Sequence, residues 1–406
     1  MKILISTDTY YPQVNGASYF TQRLAHAMKG RGHDILVVAP STSFSSGMTE
    51  AEGMPVFGVK SIGHPMLFKH NFRFVLPIPI TINKEVEKVI LDFQPDVIHI
   101  QGHFAISKSV IRAGKKAKIP LKGTNHFMPE NLVHYLHLPN FVEQKILDWA
   151  WCDFRKVFDN LHTITTPTQT AANLLKRTGF SKEVYPVSCG IDLVRFNPKT
   201  KNYTLKKKYN LPDLPILLFV GRVDKEKNVD MVLKAIAKIP KDIKFHFAVA
   251  GNGAEKKKLE KLTQKLGLEK QVTFLGFVPD EDLPALYATS DCFVNAGIAE
   301  LQCIAMMEAM ASKLPVLGVN AMALPELCHD NENGYLFEEN DIEGLAKLIA
   351  QMMSDEELRK KMGEKSLEII QAHEINKTME RFEFLYRETI ETAKKLQALT
   401  SLNQTQ

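Results

Sequence analysis

Short apolar runs alternate with helical patterns over most of this chain, and this alternation constrains the fold more than any other feature. The predicted strands of the first half are Ile3–Ser6, Ile35–Ala39, Val97–Ile100, Leu121–Thr124 and Ile164–Thr166. A predicted helix from about Tyr19 to Arg31, ending at Gly32, separates the first two strands. Strands that alternate with helices form parallel sheets covered on both faces, so the sequence predicts an α/β fold.

A second series of strands and helices begins after Pro215. Its predicted strands are Ile216–Val220, Phe245–Ala250, Val272–Leu275, Cys292–Asn295 and Pro315–Val319. The predicted helices between them are Val229–Ile239, Ala254–Leu266, Asp282–Ala288 with Asp280 as its N-cap, and Ile304–Ser312. We therefore predict two Rossmann-like domains, residues 1–187 and 188–369, with a hinge region at 188–210. A C-terminal helix at 370–406 is expected to pack back onto the first domain.

Composition narrows the class of protein. The 406 residues are 45% hydrophobic and 24% charged, which is ordinary for a globular chain. A net charge of +5 suits anionic small molecules or an anionic membrane surface better than duplex DNA, so no nucleic-acid partner is expected. The five cysteines form no CxxC pair, and no apolar run has the length of a membrane span. Because the N-terminus opens at once on a strand, we expect no signal peptide and a cytoplasmic protein, soluble or peripheral to the membrane.

The loop after strand Ile216–Val220 carries residues suited to a diphosphate. Gly221 allows a sharp turn, Arg222 offers a planar fork for two phosphate oxygens, and Lys227 adds a charge at a predicted helix start. The alternative is a basic surface turn in which Arg222 pairs with Asp224 or Glu226. Both interpretations remain open from the sequence.

The next strand, Phe245–Ala250, ends in Gly251-Asn252-Gly253. Two glycines around a polar residue permit a close backbone approach to a ligand. A tight turn with no binding role explains the same letters.

The strongest pattern is Glu300 and Glu308, eight residues apart at a predicted helix N-terminus. At about 1.5 Å per residue the two carboxylates would stand roughly 12 Å apart along the axis, near the span from a hexose across a diphosphate to a ribose. The free amides of the first turn point to the same place, so Cys303 and Ile304 join the predicted donor-binding residues. The alternative is a Glu300 that serves the helix dipole and a solvated Glu308. The apolar neighbours of Glu308 favour a partner for its carboxylate.

In the first domain, Asn15-Gly16 precedes a helix, and a glycine there permits close approach of a phosphate or acceptor. His126 and His103 follow predicted strands and are expected to face the cleft; the alternative, in a chain with 13 histidines, is an incidental position. A metal site built from the five histidines between residues 99 and 137 lacks compact ligand spacing (His99, His103, His126, His134 and His137). There is also no credible DxD motif for a metal-bound nucleotide, so no metal or other cofactor is expected.

These motifs, in this order, resemble the retaining glycosyltransferases of family 4, which have the GT-B fold of two Rossmann-like domains facing across a deep cleft. The resemblance covers nearly the whole chain. Its matching segments are Pro12–Gly16, Gly190-Ile191-Asp192 with Phe196, Arg222 with Lys227, Glu300 with Glu308, and the run from Glu308 to Val316. It departs from the family at Leu301-Gln302-Cys303, at Lys313 and at Met322–Leu324, where glycines are usual.

The resemblance implies a role for each residue. Arg222 and Lys227 would neutralise the departing diphosphate in place of a metal, which fits the missing DxD motif. Glu308 would bind the ribose, Glu300 the transferred sugar, and His126 the sugar and its developing charge. Retention of configuration in this family is attributed to a front-face mechanism without a protein nucleophile. The glycines that the family usually has and this chain does not are those that contact the transferred sugar, so the departures concern the part of the site that binds the sugar.

The acceptor is predicted from two segments of the first domain. Residues 61–82 mix aromatic, aliphatic and basic side chains, and a basic stretch follows them (Lys108, Arg112, Lys115, Lys116, Lys118 and Lys122). Apolar groups beside cations suit a bilayer interface, and the segment from His126 to Leu132 resembles bacterial lipid glucosyltransferases. Core residues next to a solvated basic helix are the alternative.

The leading hypothesis is therefore a metal-independent hexosyltransferase that uses a UDP- or GDP-sugar and a lipid or small-molecule acceptor. The lost glycines also leave open a non-catalytic GT-B protein that binds a nucleotide or glycan. A nucleotide-sugar epimerase is a third possibility. A dehydrogenase is disfavoured because no GxGxxG follows the first strand.

Overall fold

A computed structural model describes residues 1–12, 15–63, 73–74, 79–129, 140–202 and 204–404. They form two compact units. The first unit holds most of the chain from Met1 to Ser188 and resumes at Thr378, whereas the second unit holds Cys189–Lys377. Each unit is built on a mainly parallel sheet of its own.

Sixteen strands are present in the described part of the chain. Those of the first unit are β1 (Lys2–Ser6), β2 (Asp34–Pro40), β3 (Gly47–Ala51), β4 (Met54–Val59), β5 (Ile62–Gly63), β6 (Arg73–Phe74), β7 (Val97–Ile100), β8 (Leu121–Thr124), β9 (Thr163–Thr166) and β10 (Val184–Pro186). Those of the second unit are β11 (Ile216–Val220), β12 (His246–Ala250), β13 (Val272–Gly276), β14 (Cys292–Asn295), β15 (Val316–Val319) and β16 (Gly334–Phe337).

The helices that the structure describes cover the sheets. They are α1 (Gly16–Gly30), α2 (Pro79–Phe93), α3 (Ala105–Lys116), α4 (Asn140–Phe158), α5 (Gln169–Arg177), α6 (Thr204–Lys208), α7 (Val229–Ile236), α8 (Lys256–Lys265), α9 (Leu283–Thr289), α10 (Ile304–Ala311), α11 (Ile342–Ser354), α12 (Glu356–Ile370) and α13 (Ile375–Gln404). Short 3₁₀ turns occupy Pro198–Thr200, Lys225–Lys227, Leu324–Glu326 and Gln371–His373. None of these helices is long and apolar enough to span a bilayer.

The first sheet has the strand order β10-β9-β8-β7-β1-β2-β4-β3. Its strands run parallel except β3, which pairs antiparallel with β4. Every residue of β7 and β8 is buried, so these strands appear in the sequence as short runs without alternation. His99 of β7 and Lys122 of β8 therefore lie inside the core, where polar groups need partners.

The second sheet is parallel throughout, in the order β13-β12-β11-β14-β15-β16. The chain moves from β11 outward to β12 and β13, and then returns to β14 on the other side of β11. Ligands of doubly wound sheets bind beyond the carboxyl ends of the strands at this point of reversal. The loops after β11 and β14 are therefore the place to look for a site.

The predicted α/β class with two parallel sheets is confirmed. Four predicted strands coincide with observed ones, namely β7, β8, β11 and β14. The edge strands β3, β10 and β16, and β4 beside β3, were not predicted. The helix expected from about Tyr19 begins at Gly16, because Asn15 and Ser18 form a reciprocal capping box.

Two further expectations are wrong in detail. Asp280 is not the N-cap of α9, which begins at Leu283; its carboxylate instead lies 2.8 Å from Arg195. The C-terminal helical tail is interrupted, because Glu374 has an extended ψ of 136° and its side chain accepts from the backbone N–H of Asn376 and Lys377. That carboxylate caps α13.

Helix α13 belongs to the first unit from Thr378 onward. Its buried side chains recur at helical spacing and form one face (Phe382, Leu385, Tyr386, Thr389 and Ala393). Two of them bond to the sheet, Tyr386 with His99 of β7 and Thr389 with Thr163 of β9.

Candidate active site

The loop after β11 begins at Gly221, whose φ of 155° lies outside the range that L side chains commonly adopt. A Cβ on Gly251, which follows β12, would lie 1.8 Å from the carbonyl oxygen of Gly221. A Cβ on Gly253 would likewise lie 2.1 Å from the carbonyl oxygen of Val223. These glycines let two neighbouring loops touch, which gives them a packing role. Ligand contact by Gly221, Gly251 or Asn252 stays a prediction.

Backbone hydrogen bonds fasten these loops. The N–H of Val223 donates to the carbonyl of Asn252 at 2.9 Å, and the N–H of Glu255 donates back to the carbonyl of Val223 at 3.0 Å. The amide side chain of Asn228 donates to the carbonyl of Ala296 after β14. Hydrogen bonds thus connect the loops after β11, β12 and β14 to one another at the reversal point of the sheet.

Arg222 is held by two carboxylates. It donates to Asp224 at 2.5 Å and to Glu226 at 2.7 Å. The two acids are almost fully buried, while 44% of the Arg222 side chain is exposed. The pairing that the sequence analysis kept as an alternative is therefore present, and it fixes the guanidinium at the surface of the loop. A fixed, exposed fork is suited to a phosphate.

Lys227 and Glu300 form an ion pair of 2.6 Å across the reversal point. Both side chains are largely buried, at 15% and 13% exposure. Burial opposes the charge of Lys227, but attraction to and a hydrogen bond with Glu300 outweigh it, so the pKa of Lys227 lies above its ordinary value. Lys227 is therefore a permanent cation at neutral pH.

Asn295, the last residue of β14, organises the loop that holds Glu300. Its Nδ2 lies 3.3 Å from the Glu300 carboxylate and 2.9 Å from Sγ of Cys303, and its Oδ1 accepts from the N–H of Gly297. Burial, and then the charge of Glu300, raise the pKa of the Cys303 thiol to about 12. Cys303 is thus a neutral thiol and not a nucleophile.

Glu300 precedes helix α10 by four residues and is not part of it, because the helix begins only at Ile304. The assumption of helical rise from Glu300 to Glu308, on which the estimate of roughly 12 Å was based, is therefore wrong, and the separation of the two carboxylates stays a prediction. The first turn of α10 does start where Cys303 and Ile304 were predicted to offer amides. The N-cap residue Cys303 makes no side-chain capping bond, but the N–H of Met306 donates to its carbonyl at 3.1 Å, so the amides offered to a ligand are those of Ile304 and Ala305.

Glu308 has the buried partner that its apolar neighbours require. The hydroxyl of Tyr287, a fully buried residue of α9, donates to Glu308 Oε2 at 2.8 Å. Burial and the negative charge of Glu308 raise the pKa of Tyr287 well above its ordinary value. Sequence reasoning missed Tyr287 because it lies in a different helix, 21 residues earlier.

His126 lies at the carboxyl edge of the first sheet. Its Nε2 is 2.8 Å from Oε1 of Gln101, and its ring packs at 4.8 Å from that of Phe20 in α1. Burial and the charge of Lys122 lower the pKa of His126 to about 3. The imidazole is therefore neutral at physiological pH.

Gly16 is the first residue of α1, next to Asn15, whose Nδ2 donates to Oγ1 of Thr9 at 2.7 Å. His103 differs from His126, because its ring is packed between Phe104 and Phe127 and burial lowers its pKa to about 4. It is a core histidine and not an exposed ligand. Among the described residues no group of three His, Cys, Asp or Glu side chains could hold a metal ion. His134 and His137 lie outside the described residues. So do residues 130–132, the end of the segment that resembles lipid glucosyltransferases.

Comparison with known proteins tests the expected family. Residues 14–195 match the model described as "Glycosyltransferase Family 4", and residues 202–368 match "Glycosyl transferases group 1". The chain belongs to glycosyltransferase family 4. The transferase is 27% identical to the alpha-monoglucosyldiacylglycerol synthase of Streptococcus pneumoniae, over 91% of this chain and 83% of the relative. It is 24% identical to a GDP-mannose-dependent alpha-mannosyltransferase of Corynebacterium glutamicum, over 89% of this chain and 83% of that protein.

The transferase also resembles solved structures. The crystal structure of Anabaena Alr3699/HepE with UDP and glucose superposes with a TM-score of 0.75 at 18% identity, covering 96% of this chain and all of that one. The GT-B fold predicted from the sequence is confirmed. The chain is a nucleotide-sugar-dependent hexosyltransferase, and the comparisons give no support to an epimerase or a non-catalytic binding protein.

Proposed function

We propose that the transferase moves a hexose, with retention and without a metal, from a UDP- or GDP-sugar to a lipid acceptor at a membrane surface. The observation that carries the proposal is the pair of cations at the reversal point of the second sheet. Arg222 is fixed by Asp224 and Glu226, and Lys227 is fixed by Glu300. Two positioned cations beside uncapped helix amides suit a diphosphate.

The reaction needs charge stabilisation more than proton transfer by the protein. The bond between the anomeric carbon and a phosphate oxygen breaks, and the acceptor oxygen bonds to that carbon. The proton of the acceptor hydroxyl passes to the departing diphosphate. Negative charge grows on the diphosphate in the transition state, where Arg222 and Lys227 lower its energy. In this proposal a divalent ion is not needed.

The two glutamates serve the ends of the donor. Glu308, oriented by Tyr287, accepts hydrogen bonds from the ribose, and Glu300 accepts them from the transferred sugar. Glu300 also forms the ion pair with Lys227. The residue proposed to bind the sugar is therefore held by the residue proposed to bind the diphosphate. His126, neutral at physiological pH, contacts the sugar through hydrogen bonds and not as a cation.

A lipid acceptor is supported by a surface of the first unit as well as by the names of the relatives. Helix α4 exposes Phe141, Lys145, Trp149 and Lys156 on one face. Phe141 and Trp149 are each 69% exposed, which is unusual for such large apolar side chains. Aromatic residues beside lysines suit the headgroup region of an anionic bilayer. The protein would then work peripherally, on the cytoplasmic face.

The basic stretch predicted from the sequence contributes only in part. Lys122 is fully buried and faces no lipid, whereas the other five residues of the stretch are exposed (Lys108, Arg112, Lys115, Lys116 and Lys118). Most of residues 61–82 lie outside the described part of the chain. The α4 face is therefore the part of the acceptor hypothesis that the described residues support.

Calorimetric titration with UDP and with GDP, each with and without EDTA, tests the donor half of the proposal. We expect one of the two to bind, with the same affinity in EDTA. Lys225→Met, on the exposed side of the same turn, is the control that should leave binding unchanged, while Lys227→Met weakens it. Binding of neither nucleotide, or a strict need for a divalent ion, would contradict the proposal.

A further inference from the structure

Gln101 joins two histidines of the first unit. Its Oε1 lies 2.8 Å from Nε2 of His126. Its Nε2 lies 3.2 Å and 3.3 Å from the two ring nitrogens of His99, so the amide group rests over the ring of that residue. Gln101 is 4% exposed and directly follows β7.

The direction of the hydrogen bond between Gln101 and His126 follows from which of the two atoms can donate a proton. An amide oxygen only accepts, so His126 must carry its proton on Nε2. The lone pair of the neutral ring is then on Nδ1. His126 in this state accepts a hydrogen bond through Nδ1 and cannot donate one there.

His99 is oriented in turn by two hydroxyl groups. Its Nδ1 lies 2.7 Å from the hydroxyl of Tyr386 in α13, and its Nε2 lies 2.6 Å from Oγ1 of Thr124. Tyr386 is fully buried, and a buried phenol whose proton lacks an acceptor is costly. Tyr386 therefore donates to Nδ1, and His99 donates from Nε2 to Thr124.

The same proton assignment provides hydrogen-bond partners for the remaining hydroxyl groups of this network. Thr124 then donates to Oγ1 of Thr165 at 2.7 Å, and Thr165 donates to the carbonyl of Gly123 at 3.1 Å. Lys122 donates to Thr165 at 2.8 Å. Each hydroxyl proton has an acceptor, and both in-plane positions of the His99 ring are occupied. Only its face remains for Gln101, where an N–H group makes a weak favourable contact.

We propose that Gln101 is a positioning residue that fixes His126 as the Nε2–H tautomer, and that Tyr386 of α13 fixes Gln101 through His99. The inference rests on the proposed function, because it assigns His126 Nδ1 as the acceptor for a hydroxyl of the transferred sugar. It also gives the C-terminal helix a part in the site, since removing one hydroxyl of α13 releases the His99 ring that supports Gln101.

Nitrogen-15 NMR of histidine-labelled protein reads the tautomer directly, with His126→Asn used to assign the signals. The parent should show a protonated Nε2 and an unprotonated Nδ1 at His126. Gln101→Leu should give a mixture of tautomers, whereas Gln101→Glu, which keeps an acceptor oxygen, should retain the parent pattern. A pure Nε2–H signature in Gln101→Leu would overturn the inference.

Kinetics supply the second measurement. Gln101→Leu should lower kcat by about tenfold or more, the scale of a lost orienting contact, while the Kd for the nucleoside diphosphate stays unchanged. Gln101→Glu should restore part of kcat, and Tyr386→Phe should lower kcat less than Gln101→Leu does. Thr389→Val, which loses another buried hydroxyl bond of α13 but lies outside the chain of contacts, is the matched control.

An equal loss of kcat in Thr389→Val and Tyr386→Phe would show a merely structural effect and overturn the inference. Absence of transfer in the parent would instead contradict the proposed function. The two failures are distinguishable, because the tautomer is measured without turnover.

Discussion

The ammonium group of Lys227 and the carboxylate of Glu300 meet at 2.6 Å although 73 residues separate them in the chain. The pair joins the loop after β11 to the loop after β14, the two strands between which the sheet reverses. It keeps a cation in a mostly buried position before any donor arrives. A positioned charge of this kind needs little reorganisation during the reaction.

Replacing Lys227 by Met should lower kcat/KM by about 10²–10³-fold, because one cation that faces the departing diphosphate is lost. The variant also leaves Glu300 without its partner, so Glu300→Gln should be combined with it. If Lys227 acts mainly by neutralising Glu300, the double variant recovers activity; we expect that it does not. Steady-state assays with both variants and the Lys225→Met control decide the point.

Tyr287→Phe should weaken donor binding and destabilise the second unit by about 1–2 kcal/mol, because Glu308 loses a buried hydrogen-bond donor. The KM for the donor should rise more than kcat falls, since the ribose contact exists before the transition state. Donor KM and urea unfolding check the two effects. Tyr335→Phe, which loses its bond to Gln351 in the same unit, is the control for hydroxyl loss away from the site. An unchanged donor KM in Tyr287→Phe would contradict the assignment of Glu308.

Lys122→Met should stabilise the first unit at neutral pH. Lys122 is fully buried in β8, and burial and then Arg381 lower its pKa well below 10.5. Since the folded pKa lies below the unfolded one, the unfolded chain binds more protons between the two values. Stability therefore rises with pH through that window, by up to about 1.4 kcal/mol per pH unit. Lys122→Met removes this dependence.

Thermal unfolding at pH 7 and pH 9.5 measures the effect of Lys122. The parent should gain stability relative to Lys122→Met as pH rises, and Lys88→Met, an exposed change in α2, should behave like the parent. A less stable Lys122→Met protein at pH 7 would mean that the amine contributes more through Thr165 and the ring of Phe382 than its burial costs.

The membrane face of α4 predicts a fluorescence signal. The chain has two tryptophans, and Trp151→Phe leaves only the exposed Trp149. Its emission should shift to the blue on adding vesicles that contain anionic lipid, because the indole enters the interface. In the otherwise unchanged protein, Phe141→Ser with Trp149→Ser should reduce sedimentation with the vesicles. Phe44→Ser, another exposed aromatic of the same unit, should not. No shift at any anionic fraction would exclude this face as the contact.

The strands were the most predictable part of the fold, because buried parallel strands leave short apolar runs that polar loops interrupt. The edge strand β3 lacked that signal, whereas β16 carries it in Gly334–Phe337 and was overlooked. In β3 (Gly47–Ala51) the residues are mostly exposed, and nothing in its composition distinguishes it from a loop. Lys122 was assigned to a basic surface for the related reason that a lysine inside a strand gives no local sign of its burial.

Candidate site residues could be predicted from the sequence where they stand in loops that directly follow predicted strands. Arg222, Lys227 and Glu300 follow strand ends, and the parallel topology brings such loops to one edge of the sheet. Tyr287 and Gln101 were missed because each acts through a side chain distant in sequence. Only packing reveals that a tyrosine of α9 reaches Glu308, or that an amide lies between two histidines.

The most direct test of the account is a donor screen in EDTA with detection of products by mass, using vesicles that contain diacylglycerol or a monoglycosyl lipid. We predict that one UDP- or GDP-hexose gives a product heavier by one hexose at an undiminished rate, and that Arg222→Ala combined with Lys227→Ala abolishes it. Transfer that stops in EDTA, or that survives loss of both cations, would contradict the account.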